Sequence, residues 1–96
     1  MCMRSQNREP PLNEVFAENV RVQRTLRGWS QEVLSEHCGI NRNYIGAIER
    51  AEIDPRLSTV RKLAQGLGIE SFKLLIPAKA QINAGIEALA GKHKQK

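Results

Sequence analysis

The sequence is poor in aromatic residues and has no long apolar segment. Only 4% of its 96 residues are aromatic. No run of about eighteen apolar residues is present that would predict a membrane-spanning helix, and the first residues lack the charged-then-apolar pattern of a signal peptide. Runs that alternate between apolar and polar residues, as in a strand, are also absent. We therefore predict a cytoplasmic, all-α protein that forms one domain and has no membrane partner.

Cysteine and histidine are too few and too scattered to indicate a disulfide framework or a metal site. Cys38 falls on the apolar face of a predicted helix and is expected to be a buried thiol, whereas Cys2 lies in a polar leader. A disulfide between them would need an oxidising compartment. His37 and His93 are isolated, and no nucleophile–base pair, paired carboxylates or phosphate-binding glycine loop is found. The sequence predicts no metal, no cofactor and no enzymatic activity.

The positive charge lies mostly outside the centre of the chain. The formal net charge is +5, but residues 12–76 contain nine Lys and Arg against eight Asp and Glu. Residues 1–11 contribute +1 and residues 77–96 contribute +3. Net charge alone is therefore weak evidence for nucleic-acid binding, and the position of individual charges must decide.

Apolar spacing and helix-end signals predict five helices. They are expected at residues 13–27, at residues 31–38 with Ser30 as N-cap, at residues 41–51, from the cap Ser58 to Leu67, and at residues 70–76. The fourth helix should bury Leu57, Val60, Leu63, Ala64 and Leu67. Trp29, before the second cap, should pack against the second helix.

The first helix has two apolar stripes, of which only one is expected to pack on the helices that follow. One consists of Phe16, Val20 and the stem of Gln23, and the other of Val15, Val22 and Leu26. The surplus stripe would be covered by a later helix or by a partner chain.

The second and third predicted helices are joined by a tight turn. Gly39 interrupts the apolar pattern and can enter a left-handed conformation cheaply, and Asn41 can cap the next helix. Ile45 and Ile48 form the buried side of that helix. Its other side is expected to present Arg42, Asn43, Gly46, Ala47 and Arg50. Arg and Asn can pair bidentately with guanine and adenine edges, so the pattern indicates a DNA-reading helix-turn-helix.

The two ends of the chain are predicted to be extensions of a domain at residues 12–77. Residues 1–11 are polar, end in two prolines and are expected to form a flexible arm. Residues 78–96 carry Ile82, Ile86 and Leu89 at helical spacing before a basic end. A sixth, amphipathic helix would be marginal alone and would need a surface to pack on.

Residues 13–76 resemble the lambda-repressor-like helix-turn-helix family of repressors, Cro proteins and xenobiotic-response-type regulators. The resemblance rests on the spacing of Gln31, Leu34, Gly39, Ile45, Ile48 and Glu49, and on the stretch NRNYIGAIER followed by a short loop with Pro55. Small controller proteins of restriction–modification systems look most similar. This resemblance implies a five-helix DNA-binding domain.

The resemblance also implies roles for individual residues. The first residue of the second helix, Gln31, would contact a phosphate. Asn41, Arg42, Asn43 and Tyr44 would meet bases and backbone, while Arg50 and Arg56 would approach phosphates. Arg24 would pair with Glu49 in a structural ion pair. The sequence departs from the family in the loop before Pro55, where relatives typically have Gly-Glu-Arg-Asn and this chain has Ala51, Glu52, Ile53 and Asp54. Losing an Arg and gaining an acid there should weaken phosphate contact.

Two functional hypotheses follow. The first is a sequence-specific, double-stranded-DNA-binding transcriptional regulator, a repressor or autoregulator, that acts as a homodimer. Arg42, Asn43 and Ala47 would contact bases, and Gln31, Asn41, Tyr44, Arg50 and Arg56 would contact the backbone. The dimer surface would include Phe72, Leu75, Ile82, Ile86 and Leu89. The alternative is an antitoxin-like module that binds a protein partner and in which DNA binding is secondary.

Overall fold

The computed structural model describes residues 10–77 as four α-helices and one short 3₁₀ helix, with no strand in that range. The α-helices are α1 (Leu12–Leu26), α2 (Gln31–Cys38), α3 (Arg42–Glu49) and α4 (Leu57–Leu67), and the 3₁₀ helix is Ser71–Leu74. The predicted all-α class is confirmed. Within this part of the chain, no helix combines the length and apolar character that a membrane crossing requires.

The starts of α2 and α3 follow the predicted capping signals. The Ser30 hydroxyl accepts a hydrogen bond from the Val33 backbone N–H at 3.1 Å, and the Asn41 side chain accepts one from the Asn43 N–H at 2.7 Å. Both caps satisfy backbone donors that a helix start leaves without an internal partner. The prediction that Ser58 caps α4 is wrong, because Ser58 lies inside the first turn of a helix that already begins at Leu57.

Two left-handed residues set where α2 and α3 end. Gly39 has φ of +70° and closes α2, as the sequence predicts. Ala51 has φ of +59°, the only positive φ of a non-glycine residue in the described range. Its N–H donates to Ile48 O at 3.0 Å, and the N–H of Glu52 donates to Ala47 O at 3.0 Å. This fold-back stops α3 at Glu49, two residues before the predicted end.

The core lies between all five elements. Its largest fully buried side chains are Phe16, Val20, Leu34, Ile45, Ile48, Leu63 and Leu74. The stripe of α1 that carries Phe16 and Val20 therefore packs inward. In the other stripe Val15 is buried and Val22 is half-buried, whereas Leu26 is 74% exposed.

One prediction about apolar burial is wrong. Leu57, expected on the buried face of α4, is 82% exposed, because as the first residue of the helix it projects beyond the core. Ile53, in the loop before α4, is half-buried and packs against the core.

The predicted fifth helix is a single 3₁₀ turn. The N–H groups of Lys73 and Leu75 bond to carbonyls three residues earlier, at 3.0 and 2.9 Å. So short a segment forms few i-to-i−4 bonds, which favours the tighter helix. The segment is tied to α1 by Asn19, whose buried side-chain amide donates to Leu74 O at 2.8 Å and to Ile76 O at 2.7 Å.

Helices α2 and α4 approach closely at Gly66. A Cβ at this position would lie 3.0 Å from His37 O and 3.1 Å from Cys38 Cα, and would collide with the Cys38 sulfur. The packing of α2 on α4 therefore requires glycine at this position. Burial raises the pKa of the Cys38 thiol to about 11, and the sulfur lies 3.8 Å from Leu63 O.

Candidate nucleic-acid interface

The turn between α2 and α3 is fixed by hydrogen bonds from Ser35. Its carbonyl accepts from Gly39 N–H at 2.9 Å and from Ile40 N–H at 3.3 Å, while its hydroxyl donates to Ile40 O. The sequence gave this serine no role. These bonds connect the end of α2 to the residue before the cap of α3 and fix the turn between them.

A network of three side chains holds α3 in place. Arg24 of α1 binds the Glu49 carboxylate through Nε at 2.7 Å and Nη2 at 3.0 Å. Gln31, the first residue of α2, donates to Glu49 Oε1 at 3.0 Å, and Arg24 Nη1 donates to Trp29 O at 2.9 Å. The hydrogen bond to Glu49 raises the pKa of Arg24. The network thus joins α1, α2 and α3 around a buried carboxylate.

The N-terminal end of α3 presents polar side chains to solvent. Asn41, Arg42 and Asn43 are exposed, whereas Tyr44 is half-buried and packs against the core. Ala47, one turn further along, is half-buried. The sequence predicted the outward position of Arg42 and Asn43 correctly.

Arg42 has a carboxylate neighbour that the sequence did not indicate. Its Nε lies 3.9 Å from Glu32 Oε2, at the first turn of α2, and its Nη1 lies 3.5 Å from Asn43 Oδ1. The Arg42 and Glu32 side chains are 53% and 75% exposed, so this is a long contact in water. Such a contact restrains the arginine only weakly.

Gly46 is buried beneath neighbouring side chains, which contradicts its prediction as part of the outward face. A Cβ at Gly46 would lie 3.1 Å from Arg50 Nη1 and 3.6 Å from Gln31 Oε1. Helix side chains lean towards the N-terminus, so Arg50 covers the residue one turn before it. Gly46 therefore makes room for two predicted backbone-contacting side chains.

Arg50 is paired with an acid from the loop that follows α3. Its Nε lies 2.8 Å from Glu52 Oε2, and its Nη2 lies 3.3 Å from Glu52 Oε1. The hydrogen bond raises the pKa of Arg50 and lowers that of Glu52. Arg56, the other predicted phosphate-contacting arginine, is exposed at the N-cap of α4.

Only some of the predicted dimer residues lie within the described part of the chain. Phe72 is 52% exposed, and Leu75 is half-buried beside a groove of about 230 Å³ that Leu12, Phe16, Pro55, Leu57 and Val60 also line. Ile82, Ile86 and Leu89 lie outside the described residues. The exposed apolar side chains of Phe72, Leu12 and Leu57 are therefore the candidate contacts for a protein partner.

Sequence reasoning overlooked two side-chain groups. Asn19 holds the last segment on α1, and its position between Val15 and Val22 on an apolar stripe was a signal for a buried amide. Trp29 packs on α2 as predicted, but its ring stacks on His37 with centroids 3.9 Å apart.

Among residues 10–77, no cluster of His, Cys, Asp and Glu is arranged to hold a metal ion.

Comparison with known proteins identifies the family. The model of the helix-turn-helix family HTH_3 matches residues 20–74. A hypothetical transcription factor of Neisseria meningitidis is 39% identical over 74 residues, which cover 77% of this chain and 70% of that protein. The control protein C.SmaI of Serratia marcescens is 45% identical over 64 residues, covering 67% and 76% of the two chains.

Solved structures show the same fold. The crystal structure of a hypothetical transcription factor from Neisseria matches with a TM-score of 0.73 and 38% identity, over 77% of this chain and 85% of that one. The restriction–modification controller protein C.AhdI of Aeromonas hydrophila matches with a TM-score of 0.62 and 37% identity, over 65% and 94% of the chains. The chain therefore belongs to the helix-turn-helix family HTH_3, the lambda-repressor-like family of non-enzymatic DNA-binding transcriptional regulators, with restriction–modification controller proteins among its homologues.

Proposed function

We propose that this protein is a sequence-specific regulator that binds double-stranded DNA as a homodimer, with α3 of each subunit in the major groove. The observation that carries the proposal is the exposed polar end of α3, Asn41 to Asn43, on a helix braced by Arg24, Glu49 and Gln31. A reading helix must be held rigidly for its side chains to reach base edges in register.

The side chains divide into two groups by their chemistry. Arg42 and Asn43 would read bases by bidentate hydrogen bonds, and Ala47 would touch a thymine methyl group. Gln31, Asn41, Tyr44, Arg50 and Arg56 would contact the backbone and set the register. In a homodimer, two copies of α3 would enter successive major grooves about 34–36 Å apart. Repression or autoregulation is the proposed outcome.

The exposed apolar side chains support a protein partner, and we assign that partner to a second copy of this chain. Leu57 and Leu12 are 82% and 59% exposed beside the groove, and Phe72 is 52% exposed. In the alternative, an antitoxin-like complex, a different protein would dock on Ile82, Ile86 and Leu89, which lie outside the described residues. Light scattering of the purified chain distinguishes the two hypotheses. A stable homodimer supports the first, whereas a monomer that forms a complex only with a different protein supports the second.

Binding to the DNA upstream of the protein's own gene tests the proposed function. A salt series should compare that duplex with a scrambled duplex of equal length and composition. We expect a preference of about a thousandfold or more, with affinity that falls as salt rises. Equal, weak binding to both duplexes and to flanking upstream fragments would contradict sequence-specific regulation at this site and favour the protein-interaction reading.

A further inference from the structure

The guanidinium of Arg50 is held on the surface of α3. It is bound by Glu52 at 2.8 and 3.3 Å, with the two side chains 61% and 54% exposed. It also lies over Gly46, where a Cβ would approach Nη1 to 3.1 Å. Arg50 is therefore folded back along its helix towards Gln31, and both its direction and its partner are defined.

Glu52 reaches Arg50 because the chain reverses after α3. The left-handed Ala51 and the hydrogen bond from Glu52 N–H to Ala47 O turn the backbone towards the helix that it has just left. This reversal places the carboxylate two residues after Arg50 beside its guanidinium. The backbone thus positions the two side chains within reach of each other.

A carboxylate and a phosphate offer an arginine the same kind of partner. Both accept two parallel N–H bonds from the guanidinium plane, so they compete for it. An exposed Arg–Glu pair is weak enough for a phosphate to replace the glutamate. Because that pair must first be broken, DNA binding is less favourable than it would be with an unpaired arginine. A negative charge left near the DNA backbone acts in the same direction.

We propose that Glu52 limits the affinity of this protein for DNA by holding Arg50 over Gly46, and that binding exchanges the Glu52 carboxylate for a backbone phosphate. This inference rests on the proposed function, in which Arg50 contacts the backbone. It assigns to Glu52 an effect on affinity, although Glu52 itself contacts no base. Discrimination between sequences would be left to the other end of α3.

The first test is the substitution Glu52→Gln in the full chain. It keeps the side-chain shape and removes the charge that binds Arg50. We expect about threefold to tenfold tighter binding at about 0.1 M salt, a steeper loss of affinity with rising salt, and an unchanged ratio between operator and scrambled DNA. Glu70→Gln is the matched control and should leave affinity unchanged. Glu70 is exposed and precedes the 3₁₀ helix, which packs on α1 and α4.

A double-substitution cycle separates the exchange from simple repulsion. Arg50→Ala should weaken binding, and adding Glu52→Gln to it should restore much less affinity than Glu52→Gln gains in the wild-type background. An equal gain in both backgrounds would overturn the exchange, since Glu52 would then act on the phosphates directly. No gain in the wild-type background would also overturn it.

The proposed function and this inference can fail separately. Equal binding of the wild-type chain to operator and scrambled duplexes contradicts sequence-specific regulation, but the effect of Glu52→Gln on a backbone contact is measurable on either duplex. Specific binding that Glu52→Gln leaves unchanged overturns only the inference. Absence of binding to both duplexes at low salt overturns both.

Discussion

Arg24 and Glu49 form a two-bond ion pair that joins the first helix to the third, with Nε to Oε2 at 2.7 Å and Nη2 to Oε1 at 3.0 Å. The Glu49 side chain is only 4% exposed and receives a further bond from Gln31. A carboxylate this far from water depends on its partners, because desolvation penalises an unpaired charge. The pair therefore couples the position of α3 to the stability of the whole domain.

Replacing Arg24 with Ala should destabilise the protein by about 3 kcal/mol, because Glu49 would remain buried with Gln31 as its one side-chain partner. Chemical denaturation measures the loss. Arg21→Ala is the control, since Arg21 is exposed on the same helix and its removal should change stability by less than about 0.5 kcal/mol. Similar values for the two variants would mean that Glu49 is adequately hydrated in the folded protein.

Replacing Ala51 with Gly should stabilise the protein by about 0.5–1 kcal/mol. The left-handed conformation at φ of +59° costs an L-residue about 1–2 kcal/mol, which exceeds the extra entropy that glycine loses on folding. Thermal unfolding measures the change. Ala47→Gly, inside α3, should lower stability by about 1 kcal/mol, so the two Ala-to-Gly substitutions are expected to have opposite signs.

The sequence was most informative where a local pattern determines the structure. The caps Ser30 and Asn41 and the turn residue Gly39 act on backbone groups within four residues, so they could be identified from the sequence alone. The buried side of α3 followed from helical spacing, since Ile45 and Ile48 recur at an interval of three. This is why the helix-turn-helix and its polar outer end were predicted correctly.

The sequence was less informative where the outcome depends on how side chains and helices pack on one another. Helical spacing placed Gly46 outward and cannot reveal that Gln31 and Arg50 fold over it. The family pattern predicts that Arg50 contacts a phosphate, but it gave no sign of the carboxylate partner that the reversal at Ala51 supplies. Leu57 has helical spacing with the core residues of α4, yet it lies at the helix start, where no element of residues 10–77 covers it.

Replacing Gly66 with Ala should destabilise the protein by about 1–3 kcal/mol. Helix propensity alone predicts a gain of about 1 kcal/mol, so the sign of the effect decides between propensity and packing. A methyl group would collide with the Cys38 sulfur and lie 3.0 Å from His37 O. The double variant with Cys38→Ala should recover part of the loss, because the sulfur is removed while the backbone contacts remain. A stabilised single variant, measured by chemical denaturation, would show that α2 and α4 can separate at no net cost.

Replacing Asn19 with Leu should destabilise the protein by about 2 kcal/mol and loosen the segment that follows α4. The amide donates to Leu74 O at 2.8 Å and Ile76 O at 2.7 Å, and leucine of similar size would leave both carbonyls without that donor. Amide exchange in residues 71–76 should increase more than exchange in α2 and α3. A uniform increase throughout the domain would instead indicate that Asn19 contributes only to global stability.

Replacing Arg42 with Ala should weaken operator binding by about 1–3 kcal/mol and relax the preference at one base position, since a bidentate contact to a base edge would be lost. Competition among operators that differ at single positions measures both effects. Arg56→Ala is the comparison, because an exposed arginine that contacts only phosphate should weaken binding to all duplexes alike and reduce the salt slope by about one. If Arg42→Ala behaves in the same way as Arg56→Ala, Arg42 is a backbone contact and base reading falls to Asn43. If it changes neither affinity nor preference, the exposed end of α3 does not face the DNA.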